Sequence, residues 1–211
     1  MKLENLKIRC SSLGKIMGAS RKKDDQLSQT AKTYIELLVK QMVFNYHTEI
    51  DSKYLSKGIM VEYQSIDLYN EVFFTNYKKN DVRLSNDFIQ GECDINADDK
   101  IIDIKSSWSK DTFIATPDKI DSKEYEWQLR GYMWLYNKDF AELAYCLVDT
   151  PDSLLEWEKN LSIHQCSEIA PHLRVTVKQF ERDISKEDEI IEKVKACREY
   201  AKEYEQKIIN K

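Results

Sequence analysis

The chain has 211 residues, 42% of them hydrophobic and 33% charged, with a net charge of −5, 5 Gly and 3 Pro. Such a chain is long enough for one domain with a sizeable core, and its balance excludes disordered, collagen-like and linker-rich classes in favour of long helices. No run of about 18 apolar residues is present to span a membrane. The charged start, Met1 to Arg9, lacks the apolar stretch of a secretory signal. Cys10, Cys93, Cys146, Cys166 and Cys197 are odd in number and widely spaced, which fits free thiols in a reducing cytoplasm and neither a disulfide framework nor a zinc site.

In chain order, Ser11-Ser12-Leu13-Gly14 reads as a serine-capped helix start, and residues 21–29 as a polar loop. Thr30 to about Tyr46 is expected to be helical, with Tyr34, Leu37, Leu38 and Met42 on one face. A second helix is expected from about Gly58 to Phe74. The period then shortens. Val82–Leu84, Phe88–Ile95 and Ile101–Lys105, separated by turn-forming residues, predict a three-stranded meander. Helix returns over 121–137, followed by a strand over Phe140–Val148, a weak helix over Leu154–Ile163 and a strand over Leu173–Phe180. Ile190, Val194, Cys197, Ala201, Tyr204 and Ile208 then mark one face of a closing helix, about 186–210. The sum is a single α/β domain over 1–211, a central mixed β-sheet flanked by helices.

Charge is unevenly spread. Residues 1–23 carry seven basic side chains (Lys2, Lys7, Arg9, Lys15, Arg21, Lys22 and Lys23) and one acid, whereas 62–103 carry ten acids and four bases. The overall sign opposes simple coating of DNA. A basic arm that meets phosphates and an acidic patch that holds cations would instead suit a metal-using phosphodiesterase.

Within the patch, strand alternation points Asp103 and Lys105 to one face and Ile102 and Ile104 to the other. A turn at Asn96–Lys100 would bring Asp94 beside them. Two carboxylates about 4 Å apart repel by roughly 4 kcal/mol at an effective dielectric near 20, so such a pair needs a proton or a cation. Carboxylates with a backbone carbonyl, here that of Ile104, suit Mg²⁺ or Mn²⁺. Taken alone, acid and base alternating on a strand is an ordinary surface charge ladder.

Four segments in order change that reading. They are Ile8-Arg9-Cys10-Ser11-Ser12, Gly58-x-x-x-Glu62, Cys93-Asp94 followed by Asp103-Ile104-Lys105, and Gln128-Leu-Arg-Gly-Tyr132. Together they resemble the PD-(D/E)xK nucleases, and within them the lambda exonuclease type of viral recombination nuclease. The resemblance implies a restriction-endonuclease-like core. It implies Asp94, Asp103 and the Ile104 carbonyl as metal ligands, Lys105 as general base or water-positioning group, and Glu62 on a metal or its water. It implies Gln128 orienting Lys105 or the scissile phosphate, Tyr132 supporting that helix or meeting DNA, and Ser12 and Arg9 near a DNA phosphate. Cys93 stands where many members have proline, and Asp103 where lambda-type members often have glutamate. The arginine that binds a terminal phosphate in fuller members has no clear counterpart beyond Lys7 or Arg9.

By the same resemblance the chain is expected to be a Mg²⁺-dependent deoxyribonuclease, with Mn²⁺ able to substitute. Acting 5′ to 3′ on linear duplex ends, it would leave 3′ tails for a single-strand annealing protein, as a cytoplasmic homotrimer with no membrane partner. An endonuclease of the same superfamily and a non-catalytic DNA-end-binding module are the alternatives.

Overall fold

The computed structural model describes residues 3–22, 25–48, 52–121 and 123–210. After strand β1 (Ile8–Arg9), a single 3-10 turn leads into α1 (Leu13–Met17), and helices α2 (Gln29–Val43), α3 (Lys53–Met60) and α4 (Glu62–Phe73) follow. Strands β2 (Leu84–Ser85), β3 (Ile89–Gly91), β4 (Ile95–Asn96) and β5 (Lys100–Ser106) come next. The chain closes with α5 (Lys123–Tyr136), β6 (Phe140–Cys146), β7 (Val175–Glu181) and α6 (Ile184–Ile209). It is a mixed α/β fold, with helices packed against both faces of its larger sheet.

That sheet runs β4-β5-β6-β7, with β5 and β6 parallel and the outer pairs antiparallel. Parallel neighbours need a crossover, and α5 supplies it. Alternation along β5 divides two cores. Ile101 joins Leu143 of β6 and Leu129 and Met133 of α5 in the first, whereas Ile102 and Ile104 join Ile66, Leu68 and Tyr69 of α4 in the second. Asp103 and Lys105 therefore share the α5 side, as period-two alternation predicts.

The closing helix lies against α2. Its expected stripe of Ile190, Val194, Cys197 and Ala201 is buried together with Ile35 and Val39 of α2. Tyr200 donates to Glu36 of α2 at 2.5 Å in the same contact, and Arg198 Nε ties the helix to the Leu6 carbonyl, ahead of β1, at 3.0 Å. Ser28 caps α2 by accepting from the Ala31 amide at 3.1 Å.

Four expectations are corrected. The helix expected from Gly58 to Phe74 starts earlier and bends at Val61, whose φ of −110° and ψ of 15° leave the helical region. The bend lets α4 lie on the sheet while α3 swings Lys57 over the strand ends. There the fully buried ammonium donates to the carbonyls of Ser107 at 2.6 Å, Trp108 at 3.0 Å and Val148 at 2.9 Å. Those three acceptors satisfy the ammonium completely, while burial lowers its pKa to about 8 against the opposing fields of Cys166 and Asp149.

The expected meander is split between two sheets. Strands β2 and β3 pair with each other, and β3 also pairs in parallel with β1, whereas β4 and β5 belong to the larger sheet. The break falls at Glu92–Asp94, where Asn80 captures the backbone: its amide donates to the Asp94 carbonyl at 2.8 Å and its side chain to the Cys93 carbonyl at 3.0 Å.

The weak helix expected over Leu154–Ile163 is absent. The Asp149 carboxylate accepts from the amides of Cys166 and Ser167, and the Thr150 amide donates to the His164 carbonyl. These bonds pin the segment as a closed loop containing only short 3-10 turns. Finally, Ser12 makes no capping bond to α1. All five cysteines are buried free thiols. Among the described residues, no helix is long and apolar enough to cross a membrane.

Gly131 marks the tightest helix approach, since a Cβ there would lie 2.7 Å from Leu13 Cδ1 and 2.9 Å from Cys10 Sγ. Gly131→Ala is expected to destabilise the protein by about 1–3 kcal/mol through overpacking, lowering the melting temperature by roughly 3–10 °C. Gly58→Ala, with nothing within 4 Å of its added methyl, is expected to raise stability by about 0.5–1 kcal/mol. Thermal melts of the two variants check both signs.

Candidate active site

The turn between β4 and β5 closes through the Ala97 amide on the Lys100 carbonyl and pairs Ile95 with Ile102. Continued one residue further, that register sets Asp94 across from Asp103. Asp94 Oδ2 accepts from the Ile104 amide at 2.6 Å, which aims its carboxylate at β5. Asp103 is 1% exposed. Its Oδ1 accepts from Gln128 Nε2 at 2.8 Å, and its Oδ2 faces the Lys105 ammonium at 2.5 Å. Oδ2 is buried, and the Lys105 ammonium is its ion-pair and hydrogen-bond partner.

This is an electrostatically frustrated pair. Burial pushes the Asp94 carboxyl up to about 7, the negative charge of Asp103 pushes the same way, and Lys105 and the Ile104 amide only partly offset them. The opposite holds for Lys105. Burial alone would lower its pKa, but Asp103 and Asp94 outweigh that and hold it above the ordinary lysine range. Beside two carboxylates it is held as an ammonium ion, suited to orienting a water or neutralising negative charge.

Helix α5 supports the pair from above. Gln128 and Tyr132 lie one turn apart on its buried face, and Gln128 Nε2 also contacts the Tyr132 hydroxyl at 3.2 Å. Gln128 thus grips Asp103 and not Lys105. Tyr132, expected to support that helix or to meet DNA, is 5% exposed and packs where a Cβ on Gly91 would lie 2.6 Å from its ring. Burial and the nearby Asp103 raise its pKa. It supports Gln128 and offers no surface to DNA.

Glu62 opens α4 close enough for its charge to raise the Asp94 pKa, but its own Oε2 pairs with Lys79 at 2.5 Å. Among the described residues no group of three or more His, Cys, Asp or Glu side chains is assembled to hold a metal ion. Asp94 and Asp103 are therefore a two-carboxylate site that a backbone carbonyl or waters would have to complete. Ser12 is buried and hydrogen-bonded to Tyr34, and Arg9 is exposed on β1. Lys7 donates to Ser85 Oγ at 3.1 Å, while Lys2 and Lys23 of the basic arm lie outside the described residues.

Two contributors escaped sequence reasoning. Asn80 fixes the carbonyl of Asp94 and is itself held by Tyr136, whose hydroxyl lies 3.0 Å from Asn80 Nδ2. Lys57 ties α3 to the loop that follows Lys105. Neither sits in a recognisable motif: Asn80 lies within the polar run Lys78-Lys79-Asn80-Asp81, and Lys57 between Ser56 and Gly58.

A structure of a phage-related exonuclease from Haemophilus somnus 129PT matches with a TM-score of 0.88 and 34% identity, covering 99% of this chain and 97% of that one. The chain belongs to the phage-related exonucleases, the lambda exonuclease type of PD-(D/E)xK nuclease. The alkaline exonuclease of Laribacter hongkongensis shares the exonuclease fold at 15% identity and a TM-score of 0.65, over 98% of this chain and 93% of its own. Its complex with dAMP matches at 16% identity and the same TM-score, over 96% and 91%. No protein-family profile matches the sequence, and no curated protein matches it significantly.

In this exonuclease the raised Asp94 pKa carries a stability consequence with a defined sign. The folded state holds a proton that the unfolded state releases near pH 4, so the associated stability is present below that pH and lost as pH rises through about 7. In EDTA, Asp94→Asn should melt with the parent near pH 4 and above it near pH 8, by about 1–3 kcal/mol after allowing for partial exposure. Thermal melts across that range check the crossover.

Proposed function

We propose that the protein is a Mg²⁺-dependent deoxyribonuclease that degrades linear duplex DNA from the 5′ end and leaves 3′ single strands for annealing. The observation that carries this reading is Asp94 set beside the buried Asp103, with one Asp103 oxygen taken by the Lys105 ammonium. Membership among the phage-related exonucleases supports the hydrolytic class.

The donor set fits a hard divalent cation: two carboxylates whose mutual repulsion Lys105 and the Ile104 amide only partly offset. Asp94 and Asp103 with the Ile104 carbonyl would hold Mg²⁺, or Mn²⁺ in its place, with Glu62 released from Lys79 to reach it or its water. When bound, the cation supplies Lewis-acid neutralisation of charge at the scissile phosphate.

The remaining work falls to the chain's own side chains. The Lys105 ammonium orients the attacking water and stabilises negative charge that builds on the phosphate. The Ile104 amide fixes Asp94, and Gln128 fixes Asp103, so neither carboxylate needs to reorganise during the reaction. Arg9, exposed beside buried Ser12, meets a DNA phosphate. An acidic chain can still accept DNA if a locally basic channel forms between copies. We take the working form to be a homotrimer in the cytoplasm that hands its product to a single-strand annealing protein.

The test is a time course on end-labelled linear duplex with Mg²⁺, comparing 5′-phosphate with 5′-hydroxyl ends and a covalently closed circle. Loss of label from 5′ ends, an intact circle and abolition by EDTA are expected, and Lys105→Ala should lower kcat by at least ~10²-fold. Cutting of the circle would instead make this an endonuclease of the same superfamily. Retained activity in Lys105→Ala would remove the site assignment. Light scattering should give three times the 24.9 kDa chain mass.

A further inference from the structure

The position of Lys105 is not explained by its ion pair alone. Asp103 fixes the distance of the ammonium from one carboxylate, but a flexible four-carbon stem leaves its direction open. Two tyrosines close that freedom. The Lys105 ammonium lies over the face of the Tyr125 ring, 5.1 Å from its centroid. Tyr145 is the residue paired with Lys105 across the parallel β5–β6 ladder, so both side chains rise from the same face of the sheet. The Tyr145 hydroxyl hydrogen-bonds to Tyr125, which ties the ring to the strand beside Lys105. Both rings are half-buried and pack against the first core.

Helix spacing adds a further link. Tyr125 and Gln128 are three residues apart on α5 and so share a face. Gln128 reaches Asp103 while Tyr125 reaches Lys105. One helix therefore addresses both members of the Asp-x-Lys strand, the acid through an amide and the base through an aromatic face.

We propose that Tyr125 is a positioning residue for this nuclease: its ring face holds the Lys105 ammonium in its working direction. The proposal rests on Lys105 being the water-orienting group of the function inferred above. It requires the aromatic ring itself. The Tyr125 hydroxyl lies outside that contact, so Tyr125→Phe keeps the function and Tyr125→Leu loses it.

The experiment has two arms. In the first, kcat and KM for Mg²⁺-dependent degradation of linear duplex DNA are measured for the parent, Tyr125→Phe and Tyr125→Leu, with thermal melts to confirm folding. A cation–π contact at a partly desolvated site predicts that Tyr125→Leu loses about 5- to 30-fold in kcat at unchanged KM, and that Tyr125→Phe stays within about 3-fold of the parent. In the second, the ε-methylene resonance of Lys105 is read in ε-¹³C-lysine-labelled protein and assigned by its disappearance in Lys105→Arg. A ring-current upfield shift is expected in the parent and Tyr125→Phe, with return to the ordinary lysine position in Tyr125→Leu.

Parent kcat in a folded Tyr125→Leu would overturn the proposal, as would a Tyr125→Phe loss equal to that of Tyr125→Leu, or an unshifted Lys105 resonance in the parent. A parent that degrades no DNA would defeat the nuclease reading instead. The resonance arm would then decide the positioning by itself, so the two failures stay distinct.

Discussion

The mutual repulsion of Asp94 and Asp103 is the constraint around which the rest of this site is arranged. Two carboxylates brought together in a largely buried place cannot both remain charged without compensation, and each nearby contact supplies part of it. The Ile104 amide takes one oxygen of Asp94, Gln128 takes one oxygen of Asp103, and Lys105 faces the other. The compensation is incomplete, because the Asp94 carboxyl is still pushed up to about 7 by burial and by its neighbour. A fold gains no stability from such a pair. It makes sense as a place kept ready for an added positive charge, and that is the physical reason for reading it as a cation site.

The scaffold explains why the pair persists. Strand β5 is clamped on both faces, with Ile102 and Ile104 against α4 and Ile101 towards α5. Its acid and base cannot turn away without exposing isoleucines. Asp94 is less firmly built, since it lies just before a two-residue strand. Asn80 compensates by holding the carbonyls of Cys93 and Asp94, one on each side of the Asp94 α-carbon. On the far side, the caged ammonium of Lys57 fastens α3 to the loop leaving β5 and to the end of β6. A strand thus carries Asp103, and side-chain bonds hold the bend that carries Asp94, as a preorganised site requires.

Much of this was legible in the sequence where short-range rules govern. The alternation of Ile101-Ile102-Asp103-Ile104-Lys105 placed acid and base on one face, and the stripe from Ile190 to Ala201 identified the helix that covers α2. What was not legible depended on distant partners. The bend at Val61 accompanies carbonyls some fifty to ninety residues away that receive Lys57. The break in the expected strand at Cys93 comes from Asn80, and the missing helix over Leu154–Ile163 from bonds that close its loop at Asp149 and Cys166. Within the site, Gln128 followed its motif but met the acid and not the lysine. Tyr132 lies in the interior, its ring packed closely against Gly91 and its hydroxyl meeting Gln128.

The frustrated acid pair underlies the central proposal, that Asp94 and Asp103 together form a cation site. Crystals soaked in Mn²⁺ and measured at the manganese absorption edge test it most directly. The account predicts an anomalous peak between the two carboxylates, absent from Asp103→Asn. A peak elsewhere on the molecule, or none in the parent at saturating Mn²⁺, would contradict it.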